Sequence, residues 1–467
     1  MHPESFTPAN LDTHPDFEPS HLRDKKLLIV PSQGEHNTKI FVGQEGEMLY
    51  EQRQAGEATN HEPGIFVSRA PLPIAEAAYL RHLFGDHNPI WKMPSAITPG
   101  VPLDRIVLGD ESLLHELGTA CAEDGLELYG FNQTEEMAEI ADRLEVRYFG
   151  NPHFAGWAGT KIGLAEFAAE CGVRTPTTVP LFHASELREA AEVLAERGYQ
   201  HATIKVSHSA GAMGQEVCAV ADILSAKKSE LATFLPEEFM TSEGAVIQGW
   251  IPEGEPVSLH TFVDFDGTYT FTGAQTQLLT PETPPGSAGA VPIDERHLPA
   301  VLEVGRRIAE GYVAHHAYGP HAMDMIIPSP DACELLGLKP GEPLCHDENT
   351  RSSAAMISRA WALAITEGRL GVGWKDAKVK LPVGTRMADV IATLEREKLL
   401  ITETGPDAHG VFVYNGAVLD SGHDSSCYVL AISSNDDPWD ASELLERAAQ
   451  DLGGRLPQTR ESKTSAL

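Results

Sequence analysis

Along the chain, short apolar blocks alternate with stretches whose apolar residues recur every three or four positions. Lys26-Leu27-Leu28-Ile29-Val30, Arg105-Ile106-Val107-Leu108 and Leu126–Phe131 predict buried strands. Glu111–Ala122 and Thr134–Leu144, the latter with Met137, Ile140 and Leu144 at helical spacing, predict helices. Strands alternating with helices over 25–150 predict an α/β domain with a largely parallel sheet. The loop after the first strand, Ser32-Gln33-Gly34-Glu35, lacks GxGxxG, which argues against a dinucleotide site. Residues 1–24 are rich in Pro, His and acids without periodicity and read as a flexible arm.

Asn151-Pro152 interrupts this alternation and marks a boundary. Helices are expected over Gly159–Cys171, Ser185–Arg197, Leu298–Ala314 and Ala354–Thr366. Strands are expected at His201–Val206, Ala245–Ile251, Ala322–Ile327 and from Pro343 into Arg351, with a hairpin turning at Asp266-Gly267. Ala274–Pro292, dense in proline and glycine, reads as a long irregular loop of the kind that serves as a lid. From about Gly373 a separate α+β unit is expected, with a helix at Thr385–Leu399, a hairpin turn at Asn415-Gly416, a strand at Cys427–Ile432 and a helix at Ala441–Leu452. The fold class is therefore α/β and α+β multidomain. The expected units are 1–24, 25–150, 151–370 and 371–455, with a tail over 456–467.

Length supports that division, because 467 residues exceed one ordinary core. Lys+Arg 35 against Asp+Glu 68 leaves a net charge of −33, which repels nucleic acid and anionic membranes. No apolar run is long enough for a membrane span, and Met1-His2-Pro3-Glu4-Ser5 lacks the regions of a signal peptide. Six scattered cysteines without a CxxC pair fit reduced thiols in a cytoplasmic protein.

The chemistry concentrates in Asp347-Glu348-Asn349-Thr350-Arg351. On a strand, Asp347, Asn349 and Arg351 share one face, and Glu348 takes the other. Two oxygen donors suit Mg²⁺, and a guanidinium fork suits a phosphate or acyl phosphate. Asp324, on the upstream strand, offers a second carboxylate. Lys205 stands among apolar neighbours and requires a partner. The small-residue loop that follows it, Ser207 to Gly214, leaves N–H groups free to face an anion, without the Walker pattern.

In this order, the Lys161 helix, the Lys205 strand with its glycine loop, the Val246–Ile251 strand with Glu255, Asp324 and Asp347-x-Asn349-x-Arg351 resemble the ATP-grasp superfamily over about Asn151–Thr366. The layout around that region looks most like the pheganomycin-type peptide ligases. The resemblance implies ATP and Mg²⁺ as cofactors and a ligase joining an amino-acid-like carboxylate to the N-terminus of a peptide, in antibiotic or other natural-product biosynthesis. It implies a small-molecule carboxylate and an amine or peptide acceptor as partners, with a homodimer as a compatible assembly. By position, Lys161 and Lys205 hold the α- and β-phosphates, and the loop with Ser209, Gly211, Ala212, Met213 and Gly214 covers the β- and γ-phosphates. Gln248, Gly249, Trp250 and Ile251 line adenine through backbone groups, and Glu255 takes the ribose. Asp324, Asp347 and Asn349 hold magnesium, and Arg351 stabilises the transferred phosphoryl group.

Three departures stand out. Asp347 replaces the usual glutamate, Ala322 stands where many relatives carry arginine, leaving that role to His321 or Arg351, and Pro328–Glu342 is inserted between the two metal strands. A small-molecule kinase and a non-catalytic ATP-binding module are the rival readings.

Overall fold

Five short strands, β1 (Leu27–Val30), β2 (Ile65–Val67), β3 (Ile90–Lys92), β4 (Glu127–Gly130) and β5 (Tyr148–Phe149), pair in parallel in the order β3-β2-β1-β4-β5. The computed structural model describes residues 6–32, 45–59, 63–207, 215–227, 230–234, 244–251, 254–278, 289–422 and 424–456. β1 is buried at every position, as its unbroken apolar run requires of a central strand covered on both faces. The chain reverses direction across the sheet between β1 and β4, and the loops leaving their C-terminal ends are joined by the Asn132 N–H donating to the Ser32 carbonyl at 3.2 Å.

A second sheet, β6-β9-β7-β8, is built from β6 (Thr178–Leu181), β7 (His201–Val206), β8 (Gln215–Ala219) and β9 (Ala245–Gly249), all antiparallel. The helix Leu187–Glu196 packs on it through Leu187, Ala190, Ala191 and Leu194. The third sheet has eight strands in the order β14-β13-β10-β11-β12-β15-β17-β16. They are β10 (Glu255–Val263), β11 (Tyr269–Leu278), β12 (Gly289–Pro292), β13 (Gly319–Ile327), β14 (Leu344–Asn349), β15 (Trp374–Lys380), β16 (Gly410–Tyr414) and β17 (Ser426–Ile432). One face of β10 and β13 buries Val257, Leu259, Met323 and Met325 against the helix Leu298–Ala314. The alternate residues of the same strands include Ser258, His260 and Asp324, and that face carries the site.

Several sequence expectations change. Arg105–Leu108 belongs to a helix, Leu103–Leu108, not a strand; a four-residue apolar block is compatible with either, and Pro102 at the N-cap starts a helix. The N-terminal segment is anchored, not loose. Phe17 pairs with Phe271, the Ala9 N–H donates to the Ile293 carbonyl at 2.8 Å, and Lys25 meets Asp264 at 2.6 Å. The unit from 371 onward continues the eight-stranded sheet instead of standing apart, and Trp374, Phe412 and Tyr428 share one core with Phe66 and Tyr129 of the first domain. Asn415-Gly416 is not a two-residue hairpin turn but opens the helix Gly416–Ser421; the buried Glu76 carboxylate accepts both N–H groups, at 2.8 and 2.9 Å, which fixes that start. Ala274–Pro292 is largely strand at its ends, as β11 runs to Leu278 and β12 begins at Gly289, and the stretch 279–288 between them lies outside the described residues. The Pro328–Glu342 insertion holds the helix Pro330–Leu336.

All six cysteines are free. Among the described residues no helix is long and apolar enough to cross a membrane.

Candidate active site

β13 and β14 pair with Asp324 opposite Asp347 and Ala322 opposite Asn349. The register slips just beyond, where Met325 faces Cys345, so His346 is the extra residue of a bulge. This sets Asp324, Asp347 and Asn349 on one face. Asn349 Nδ2 donates to Asp324 Oδ2 at 3.0 Å, and Gln277 Nε2, from β11, donates to Asp324 Oδ1 at 2.8 Å.

Glu348 takes the opposite face. It is buried, accepts the Tyr312 hydroxyl at 2.6 Å, and lies 3.2 Å from His321 Nδ1. His321 is fully buried there, with its other ring nitrogen on the Ala317 carbonyl at 2.9 Å. Neither Glu348 nor His321 therefore reaches the face of Asp347.

Two buried lysines, Lys161 on a helix and Lys205 on the second sheet, approach the carboxylates. Lys161 is the first residue of the helix Lys161–Glu170, capped by Thr160, whose Oγ1 accepts the Gly163 N–H at 2.8 Å. Its backbone N–H donates to the Ser207 carbonyl at 3.0 Å, which ties the helix to the end of β7. Lys161 Nζ donates to Asp347 Oδ1 and so joins the two sheets. Lys205 Nζ donates to Gln248 Oε1 at 2.7 Å, and Gln248 Nε2 donates to Thr178 Oγ1 at 3.0 Å. Gln248 thus braces the lysine with its side chain.

The electrostatics follow from this crowding. Burial, reinforced by the neighbouring Lys161 charge, lowers Lys205 to about 8. Burial and the facing Asp347 charge raise Asp324 to about 7. Burial also disfavours ionised Asp347, but Lys161 and Lys205 outweigh it and hold the carboxyl below its usual range. Two carboxyls that cannot comfortably ionise together are a fitting place for a divalent cation, which would relieve the repulsion. Asp324, Asp347 and the Asn349 amide oxygen supply three hard donors. Among the described residues, no group of three or more His, Cys, Asp or Glu is placed to hold a metal.

Arg351 stands two residues beyond the end of β14. Its Nη1 donates to the Ser352 carbonyl at 3.3 Å, and its guanidinium carbon lies 4.8 Å from the centre of the Phe131 ring. Ser352 in turn donates to the buried Glu57 carboxyl, which also accepts the Tyr129 hydroxyl at 3.0 Å. Burial raises Glu57 to about 7. This knot fixes the segment after Arg351 to the first sheet.

The remaining residues fall around this centre unevenly. The Gly249 N–H already donates to Thr177 and the Trp250 N–H to His201, both at 2.9 Å, and Ile251 is buried. A Cβ on Gly249 would meet the Tyr199 ring at 2.3 Å, so only glycine fits. Glu255 opens β10, three residues before Ser258, the partner of Asp324. At about 3.4 Å per residue it stands roughly 10 Å along the strand from the carboxylate pair. Its carboxylate accepts Thr276 at 3.2 Å and meets His297 at 3.0 Å, so the structure does not bring it into the lysine–aspartate cluster. Ser209, Gly211, Ala212, Met213 and Gly214 lie outside the described residues. Gln277 is the contact that sequence reasoning misses; Gln275 and Gln277, two residues apart, are the period-two signal that could have found it.

No family model matches the sequence, and a search of curated proteins returns no match. Solved structures do match over nearly the whole chain. The biotin carboxylase domain dimer of Hydrogenobacter thermophilus 2-oxoglutarate carboxylase, in complex with MgADP, ADP and bicarbonate, aligns with 93% of this chain and 91% of its own at 13% identity and a TM-score of 0.53. An ADP complex of N5-carboxyaminoimidazole ribonucleotide synthetase, PurK, covers 87% of this chain and 94% of its own at 11% identity and TM-score 0.54. The fold is the ATP-grasp fold. Campylobacter jejuni biotin carboxylase, solved with a nucleotide ligand, matches equally broadly, over 94% of this chain and 93% of its own, at 13% identity and TM-score 0.54. At these identities the likeness is one of fold. Because it spans almost all of the chain, the ATP-grasp match takes in the C-terminal strands as well as the lysine and aspartate sheets.

Proposed function

We propose that this protein is an ATP-dependent carboxylate–amine ligase that forms an amide through an acyl phosphate. More narrowly, we propose that it joins an amino-acid-like carboxylate to the N-terminus of a peptide in natural-product biosynthesis. The observation that carries the reading is the direct contact of Lys161 with Asp347, which puts phosphate-binding cations and cation-binding carboxylates in one cluster. The solved relatives of this fold include complexes with ADP, with magnesium, and with bicarbonate.

In this reading Lys161 and Lys205 hold the α- and β-phosphates, and Asp324, Asp347 and Asn349 hold Mg²⁺. The loop with Ser209 and Gly211–Gly214 covers the terminal phosphates. The backbone from Gln248 to Ile251 lies against adenine, and Glu255 reaches the ribose. Bound Mg·ATP supplies the phosphoryl group that turns an inert carboxylate into an acylating agent. Arg351 stabilises the transferred phosphoryl group and then the oxyanion that forms when the amine adds. Gln277 and Asn349 keep Asp324 oriented.

The test is the stoichiometry of turnover. With acid, amine, ATP and Mg²⁺ all present, ADP and inorganic phosphate are expected in equal amounts. ADP appearing with a phosphorylated alcohol and no free phosphate would make the protein a kinase.

A further inference from the structure

The chain keeps a second guanidinium beside Arg351 that the chemistry above does not use. Arg53, on the helical segment Glu45–Ala58, has its guanidinium carbon 5.9 Å from the centre of the same Phe131 ring and 5.6 Å from that of Tyr428. Its Nη1 donates to the Tyr428 hydroxyl at 2.8 Å, and its backbone carbonyl accepts Trp361 Nε1 at 2.9 Å. Four parts of the chain therefore hold it in place: the Glu45–Ala58 segment, the end of β4, β17 and the helix Ala354–Ile365.

Among the described residues, neither Arg53 nor Arg351 has a carboxylate within ion-pair distance; Glu57 acts on Arg53, and Asp347 and Asp324 on Arg351, only through longer-range charge. In a protein with 68 acidic and 35 basic residues, two neighbouring arginines without one are an anomaly of charge placement. A partly buried guanidinium is expected to be matched by an anion. Their setting points to a ligand as that anion. Phe131 directly follows β4, at the place where the strand order β3-β2-β1-β4-β5 reverses. The crevice outside the carboxyl ends of the strands at such a reversal is where open parallel sheets take ligands.

We propose that Arg53 is a specificity-determining residue that binds a substrate carboxylate other than the one being activated. One substrate of the enzyme then carries an extra carboxylate, and Arg53 and Arg351 divide the two anionic groups across the Phe131 ring. The proposal rests on the ligase reading for the role of Arg351. The extra carboxylate belongs either to the acid, as a second acidic group, or to the acceptor.

Succinate, glutarate and adipate, each paired with its half-amide, serve as probes, because each pair differs by a single charge at fixed length. Calorimetric titrations of the full-length protein, with and without a non-hydrolysable ATP analogue and Mg²⁺, measure the affinities. At least one diacid is expected to bind about 10–100-fold tighter than its half-amide, the range for a hydrogen bond to a charged group. Arg53→Gln brings that ratio close to one, and Arg53→Lys leaves an intermediate ratio, since it keeps the charge and loses the fork. Thermal melts of both variants check that they fold. A ratio near one for all three pairs in the wild type, or an unchanged ratio in Arg53→Gln, overturns the proposal. Failure of the ATP analogue to bind while the ratio persists removes the ligase reading and leaves the carboxylate site standing. Hydroxamate formed from the diacid in the presence of ATP and hydroxylamine assigns the extra carboxylate to the acid. Inhibition by the diacid of the amine step alone assigns it to the acceptor.

Discussion

Asp347→Asn is expected to lower amide formation by more than about 100-fold, beyond the 10–100-fold typical of losing an outer-shell partner of a metal. Asp347 faces Asp324 across the β13–β14 pair and takes the Lys161 ammonium, so it is bound to both halves of the cluster. An amide at this position keeps the volume and loses the charge that both the cation and the lysine require. Glu348→Gln provides the control. Glu348 faces away, towards Tyr312 and His321, and its loss leaves buried donors poorly matched. That variant is expected to lose about 1–3 kcal/mol of stability while retaining most of its turnover. Denaturant titration and steady-state ADP release on both variants separate the two outcomes. A catalytically dead Glu348→Gln beside an active Asp347→Asn would place the metal on the wrong face in this account.

Arg351→Ala carries the second large effect, about 10²–10³-fold in the rate of amide formation, the usual loss when one donor to a developing oxyanion is removed. Arg351 is packed over Phe131 and makes a single 3.3 Å bond to the Ser352 carbonyl, so most of its donor capacity is not spent within the described protein. Arg351→Lys restores charge without the planar fork and is expected to remain badly impaired. ATP affinity should stay close to wild type in both, because the phosphates are assigned to Lys161 and Lys205. A wild-type rate in Arg351→Ala removes this residue from the mechanism.

How much of this is legible in the sequence depends on the range of the forces involved. The common face of Asp347 and Asn349, with Glu348 turned away, follows from strand alternation alone, and the pairing with Asp324 bears that alternation out. The bulge at His346 is not legible, because it depends on how β14 meets β13. Gln277 is hidden for a similar reason. Prolines and glycines in Ala274–Pro292 suggest a loop, whereas pairing with β10 as far as Thr276 and with β12 beyond it extends β11 to Leu278. The Asn415-Gly416 pair carries a local turn preference, and the Glu76 carboxylate, more than 300 residues away in sequence, overrides it. The C-terminal unit has the internal pattern of an independent α+β piece. Its edge strand β15 nevertheless pairs with β12, and nothing in either strand alone announces that join. Arg53 and Phe131 belong to the same class, since only the packing of four distant segments sets both beside Arg351.

The most direct test of the ligase reading is hydroxamate formation with Mg·ATP, hydroxylamine and a panel of amino-acid-like carboxylates, with no acceptor amine present. Hydroxamate accumulating in step with ADP, and disappearing when the acid or Mg²⁺ is left out, is the predicted result. ADP formed without hydroxamate for every acid, together with phosphate ester formed from an alcohol, would contradict it.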